Sequence, residues 1–311
     1  MKKWIIGLLV ILGLAIGSSY IFIPSTIVIS NVRYVSTFRT AVAKFLTDTG
    51  KITDCFQKVA QKTGSGFQYR GFDYTISKII YGANEISISS NDLQLKSNLI
   101  PAQLSRDSCT LNWFTEIQAS NNPFKRIMQY YNARKLKAGM SDLMDQMKLF
   151  LDDPINMYGI KVTEIQLKDS ILISIKTNSE KEPGNAEIYE KIKKLEDYAL
   201  GQDAKPTNSP MLNVLKNDSG HFEFRVGLPI SKTIAETNEI HIKKMPYNGN
   251  MLITEIKGGP YTIKKALQQL DIYKDDAGRT SPAIHYELLI TNRVTEPDTS
   301  KWITRLYYPV M

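Results

Sequence analysis

Apolar and polar residues alternate with period two over most of this chain and fall into a period near 3.6 at only a few places. That pattern predicts an α+β protein dominated by antiparallel strands. The β-branched run Ser25–Val35 is a predicted strand, followed by two short helical stretches near Thr37–Leu46 and Thr53–Gln61. The glycines in Lys62-Thr63-Gly64-Ser65-Gly66 predict a loop. Further strands are predicted at Phe72–Tyr81, Glu85–Ser90, Leu93–Ser105 and Cys109–Ala119. From Pro123 the period changes. Phe124, Ile127, Met128, Tyr131, Met140, Leu143, Met144, Met147 and Phe150 recur mostly three or four apart, predicting one apolar stripe on a long helix that ends before Pro154.

Beyond a short linker at 152–156 the pattern repeats. Ser170–Thr177 answers Asn250–Lys257, and the helical stretch Ala186–Leu200 answers Tyr261–Tyr273. Ser209-Pro210-Met211 answers Ser281-Pro282-Ala283, and Val226–Pro229 answers Leu306–Pro309. Four correspondences in order predict a duplicated β-α-β-β unit, about 159–230 and 239–311, forming one antiparallel sheet with both helices on one side. A short strand at Glu239–Lys243 is predicted between the copies.

The 311 residues suffice for two domains, placed at 25–153 and 159–311 after a first segment at 1–24. Trp4–Ile23 is twenty residues without a charge, long enough to span a bilayer core of roughly 30 Å. Lys2 and Lys3 precede it, which predicts a single-pass membrane anchor with the remaining chain extracytoplasmic; the alternative is a cleaved signal segment ending near Gly17. The formal net charge is +8, but 39 basic residues are scattered among 31 acidic ones without a run of five. A solubilising surface, not a nucleic-acid interface, is the expectation. Cys55 and Cys109 allow one bridge or two buried thiols. The three histidines stand singly and no zinc spacing exists, so neither a metal nor a cofactor is expected.

Two families are similar to successive parts of the chain. A strand, two small helices, several strands and a long terminal helix resemble the START-like, polyketide-cyclase-like (SRPBCC) superfamily over about 125 residues. The run Ile23–Ser30 looks like that of membrane-anchored members. The resemblance implies a helix-grip domain whose sheet wraps the long helix around an apolar cavity. Where members often carry tryptophans on the second short helix, this chain has Ile52, Cys55 and Phe56. In the second half, Gly259, Pro260, Tyr261, then Ser281, Pro282, Tyr286, Glu287, then Trp302, Thr304, Pro309 and Val310 resemble the GyrI-like, AraC-type effector-binding domain. That resemblance implies a groove between two halves that takes small cationic or aromatic molecules, and in some free-standing members a hydrolase. Relatives commonly have glutamate where this chain has Arg305.

Alternation gives the candidate site. Ile284, Tyr286, Leu288 and Ile290 form an apolar series suited to the helix-covered face, which would leave His285 and Glu287 to a groove on the opposite face. Tyr307 and Arg305 share one face of the closing strand, and Trp302, Thr304, Leu306 and Tyr308 the other; alternation leaves open which set meets a ligand. The candidate ligand-binding residues are therefore Glu287, His285, Tyr286, Tyr261, Trp302, Tyr307 and Arg305. In the first copy, Phe222, Phe224, Val226 and Leu228 are predicted inward, and Glu223 and Arg225 outward as an ion pair. These readings predict an anchored, non-catalytic binder of a small hydrophobic or aromatic molecule. The alternative is an enzyme: a hydrolase using Glu287 as acid or base, or a cyclase-like activity in the first domain. No G-x-S-x-G elbow or P-loop is present.

Overall fold

A computed structural model describes residues 17–64, 66–80, 82–91, 93–167, 171–245 and 249–311. Two antiparallel sheets with helices make an α+β protein, and the chain divides into two units between Met157 and Tyr158.

In the first unit, β1 (Thr26–Val35) alternates as its sequence dictates, with Ile27, Ile29 and Val35 buried and Val28, Val32 and Tyr34 exposed. Two short helices follow, α1 (Arg39–Thr47) and α2 (Thr49–Cys55); Asp48 starts the second by accepting from the backbone N–H of Lys51. The second helix thus begins and ends earlier than predicted, because that cap sits at residue 48. Strands β2 (Gln61–Thr63) and β3 (Gly66–Tyr69), which were not predicted, overlap the two ends of the loop predicted at 62–66. Arg70 and Gly71, at φ 50° and 82°, turn β3 into β4 (Phe72–Ile80), the two-residue hairpin geometry that matches strand twist. β5 (Ala83–Ser90), β6 (Leu93–Gln103) and β7 (Cys109–Gln118) complete a sheet of order β1-β7-β6-β5-β4-β3-β2.

The long helix α3 (Pro123–Leu151) starts where Asn122 accepts from the backbone N–H groups of Phe124 and Lys125. Its predicted single stripe is split. Met140, Leu143, Met144 and Met147 are fully buried, whereas Phe124, Ile127, Met128 and Tyr131 are exposed. Over 29 residues the sheet-facing line drifts: Arg126, Ala133, Leu136 and Gly139 are the buried positions of the first turns. Between sheet and helix, Phe56, Phe67, Tyr74 and Trp113 form a continuous ring chain with successive centroids 4.6, 5.0 and 5.8 Å apart. The indole N–H of Trp113 donates to Ser97 Oγ at 2.9 Å. Cys55 and Cys109 are separate buried thiols, and burial pushes their pKa values up to about 12 and about 11.

The expected membrane anchor needs correction. Most of the predicted span, residues 4–16, lies outside the described residues; 17–22 are helical, and among the described residues no helix is long and apolar enough to cross a membrane. The single-pass anchorage and the extracytoplasmic placement drawn from it therefore have no support.

The second unit follows a short helix, α4 (Pro154–Tyr158). Its first copy is β9 (Ile171–Ser179), α5 (Asn185–Gly201), β10 (Met211–Lys216) and β11 (Phe222–Pro229). The second is β13 (Asn250–Lys257), α6 (Pro260–Asp276), β14 (Tyr286–Leu289) and β15 (Ile303–Pro309). Each copy has a lead strand, β8 (Thr163–Gln166) or β12 (His241–Lys244). The sheet order is β12-β9-β11-β10-β14-β15-β13-β8, so β10 meets β14 at the centre. The lead strands are exchanged: β8, before the first copy, pairs with β13 of the second, and β12 pairs with β9 of the first. β8 was not predicted; its four residues carry no alternation signal.

Candidate functional site

Which way each strand of the second sheet faces is settled by its registers. Helix α5 buries Ile188, Ile192, Leu195 and Ala199 against Ile173, Ile175, Leu212, Phe224, Val226 and Leu228. Across the centre, Leu212 is opposite Glu287, and Glu287 is opposite Leu306. Directly opposed residues share a face, so Glu287 and Leu306 belong to the helix-covered side. Tyr308, two residues on from Leu306, donates its hydroxyl to Asp271 of α6 at 2.6 Å, placing α6 on that side too. Met211, Tyr286, Leu288, Arg305 and Tyr307 consequently occupy the face away from both helices.

The predicted phase of the Ala283–Leu289 strand is thus reversed. Ile284, Tyr286 and Leu288 look away from the helices, and His285 and Glu287 look towards them. The physical reason is that the helix-free face is itself strongly apolar: Leu167, Leu172, Met211, Met251, Tyr286, Leu288 and Tyr307 pack into one buried cluster there. In the first copy the predicted phase and the structure coincide, with Phe224, Val226 and Leu228 under α5 and Glu223 with Arg225 on the other face.

On the helix-free face lies an open pocket of about 230 Å³. Met211, Met251, Leu172, Ile284 and Tyr286 supply its apolar lining, and Ser174, Asn213, Arg225 and Lys243 its polar edge. An adjoining depression of about 250 Å³ shares Leu167, Met211 and Tyr286 and reaches Tyr307. Gly227 keeps the floor open: a Cβ there would lie 3.2 Å from Leu172 Cδ1 and 3.6 Å from Met211 Cβ. Tyr286 and Tyr307 stack at 4.9 Å and 7° between ring planes, a flat aromatic surface beside it. Asn213 is 6% exposed; its Nδ2 donates to the carbonyl of His285 at 2.8 Å, which fixes the amide orientation and leaves Oδ1 a buried acceptor without a partner.

The seven sequence-predicted site residues separate. Tyr286, Tyr307 and Arg305 share the pocket face, where Arg305 pairs with Glu255 at 2.8 Å. Glu287 pairs with Arg293 at 2.7 Å on the helix-covered face, their side chains 18% and 7% exposed. Arg293 also donates to Thr304 Oγ1 at 2.9 Å and lies 5.0 Å over the Trp302 ring; the Trp302 indole donates to the Glu296 carbonyl. His285 stacks on Tyr308 at 5.6 Å, and burial holds its imidazole below the usual 6.5 against the upward pull of Glu287 and Asp271. Tyr261, in the first turn of α6, is 81% exposed. Sequence reasoning missed Leu172, Met211, Asn213, Lys243 and Met251; a signal was available in Gly227, a small residue within a strand of large ones.

No family model matches this chain, and no curated protein matches it. Among solved structures it is similar to the C-terminal domain of EcmrR, at 14% identity and TM-score 0.42, covering 49% of this chain and 98% of that one. A hydrolase from Listeria innocua is similar at 10% identity and TM-score 0.39, covering 49% and 92%. SAV2435 bound to tetraphenylphosphonium is similar at 14% identity and TM-score 0.32, covering 49% and 94%. Likeness this distant transfers neither a ligand nor a reaction.

Proposed function

We propose that the C-terminal unit binds a small, largely apolar molecule without turning it over. The observation that carries this reading is the pocket on the helix-free face, apolar over most of its lining, open at Gly227, and edged by Ser174, Asn213, Arg225 and Lys243. Concave apolar surface with a few fixed polar groups is the usual form of a small-molecule site. The GyrI-like motif series, with Tyr286 now on the pocket face, supports the same reading. Catalysis by Glu287 fits less well, because a general acid or base needs reach to its substrate and this carboxylate is engaged by Arg293 on the other side of the sheet. We read the N-terminal unit as a helix-grip domain with the Phe56–Trp113 ring chain in its interior; its cavity of about 580 Å³, bordered by Ile27 and Ile29 of β1, Tyr130 and Ala133 of α3, and the charged Arg134 and Lys137, is less apolar than the pocket of the second unit.

Methionine methyl NMR on the full chain tests this directly. Titrated with 2-naphthol, a neutral apolar probe, Met211, Met245 and Met251 are expected to shift saturably, with Met140, Met144 and Met147 of the first unit unmoved. Shifts confined to the first unit, or no saturable shift, would overturn it.

A further inference from the structure

The charged residues described in the lining of this pocket, Arg225 and Lys243, are of one sign. Among the described residues lining it and the adjoining depression there is no carboxylate, while Arg225 and Lys243 stand at the edge. On that face the Glu223 carboxylate is held by Arg225 Nη2 at 2.8 Å and by Lys176 Nζ at 2.6 Å. Two cations thus share one anion, and with Lys243 the rim keeps a net positive charge. At the other end of the same face Glu255 is matched by Arg305. A cation entering here would meet positive charge at the rim and no anion within, whereas an anion would meet both lysine and arginine.

Resting on the binding function proposed for this pocket, we infer that its ligand class is a small amphipathic acid: an apolar or aromatic body with an anionic head at Lys243 and Arg225. Lipophilic cations are selected against. Lys243 is the specificity-determining residue best suited to test, being exposed at the edge of the pocket.

Three probes that share a naphthalene ring system and one hydroxyl and differ in the charge at the 6 position isolate the effect: 6-hydroxy-2-naphthoate, 2-naphthol and protonated 6-(aminomethyl)-2-naphthol. Affinities come from the Met211, Met245 and Met251 methyl shifts of the full chain at low salt. The acid is expected to bind at least about tenfold more tightly than the ammonium, with 2-naphthol between them, and the spread should shrink with added salt. Lys243→Glu is expected to weaken the acid about tenfold relative to 2-naphthol and to narrow or reverse the order of acid and ammonium. Equal or tighter binding of the ammonium overturns the charge preference while leaving the pocket a binding site. Saturable binding by none of the three removes the binding function, and this inference with it.

Discussion

At the residue scale, His285 shows how a position with a functional look acquires a structural role. It is half-buried between the sheet and α6, stacked on Tyr308, with Glu287 and Asp271 as the ionisable groups that act on it. Because burial lowers its folded pKa, the unfolded chain takes up the proton first. Stability is therefore complete above the ordinary value of 6.5 and falls as pH drops below it. Asp271, held low by Tyr308 and Lys274, titrates below that window from an ordinary 3.8. Urea unfolding at pH 7 and pH 5.5 should show a loss for the natural chain that is smaller in His285→Gln; an equal loss in both would mean that His285 does not carry it. The sequence displayed the histidine and its neighbour Glu287 but not the side of the sheet, since a single strand's alternation is symmetric until a partner fixes it.

At the element scale, the loop after β14 is latched onto the sheet. Arg293 reaches Glu287 and Thr304 with its guanidinium, and its backbone N–H donates to the Tyr189 hydroxyl of α5, which itself donates to the Thr291 carbonyl. Removing one partner of a buried pair leaves the other charge uncompensated, at a cost of roughly 3 kcal/mol. Glu287→Gln should therefore lower unfolding stability by about that amount while 2-naphthol binding, measured where the variant is folded, stays within about twofold. A stable variant that no longer binds would return Glu287 to the site. Elements were well legible where one face alone was apolar: β1, α5, β11 and α6 lie close to their predicted spans. Legibility failed where both faces were apolar, as in β14, where drift moved the buried line along α3, and where strands were too short for a pattern, as in β2, β3 and β8.

At the scale of the whole molecule, each unit carries one buried tryptophan among the described residues, Trp113 in the first and Trp302 in the second. In a chain also carrying Trp4→Phe, Trp302→Phe leaves fluorescence to report the first unit and Trp113→Phe the second. Since each unit has its own core, the 2-naphthol-induced rise in melting temperature is expected in the Trp302 signal. A rise seen only through Trp113 would place binding in the first unit. The repeated β-α-β-β order of the second unit was legible from four spaced correspondences, but the order of its strands in the sheet was not, because pairing between the repeats leaves no local mark on sequence.

That order has a consequence for how this part of the protein can be inherited or handled. A duplicated segment often remains a movable cassette, yet here β8 borders the second copy and β12 the first. Severing the copies would strip β9 and β13 of their outer neighbours and part β10 from β14, leaving four raw edges ready to pair with other chains. Residues 163–309 therefore form one indivisible part, to be transplanted, permuted or truncated only as a whole.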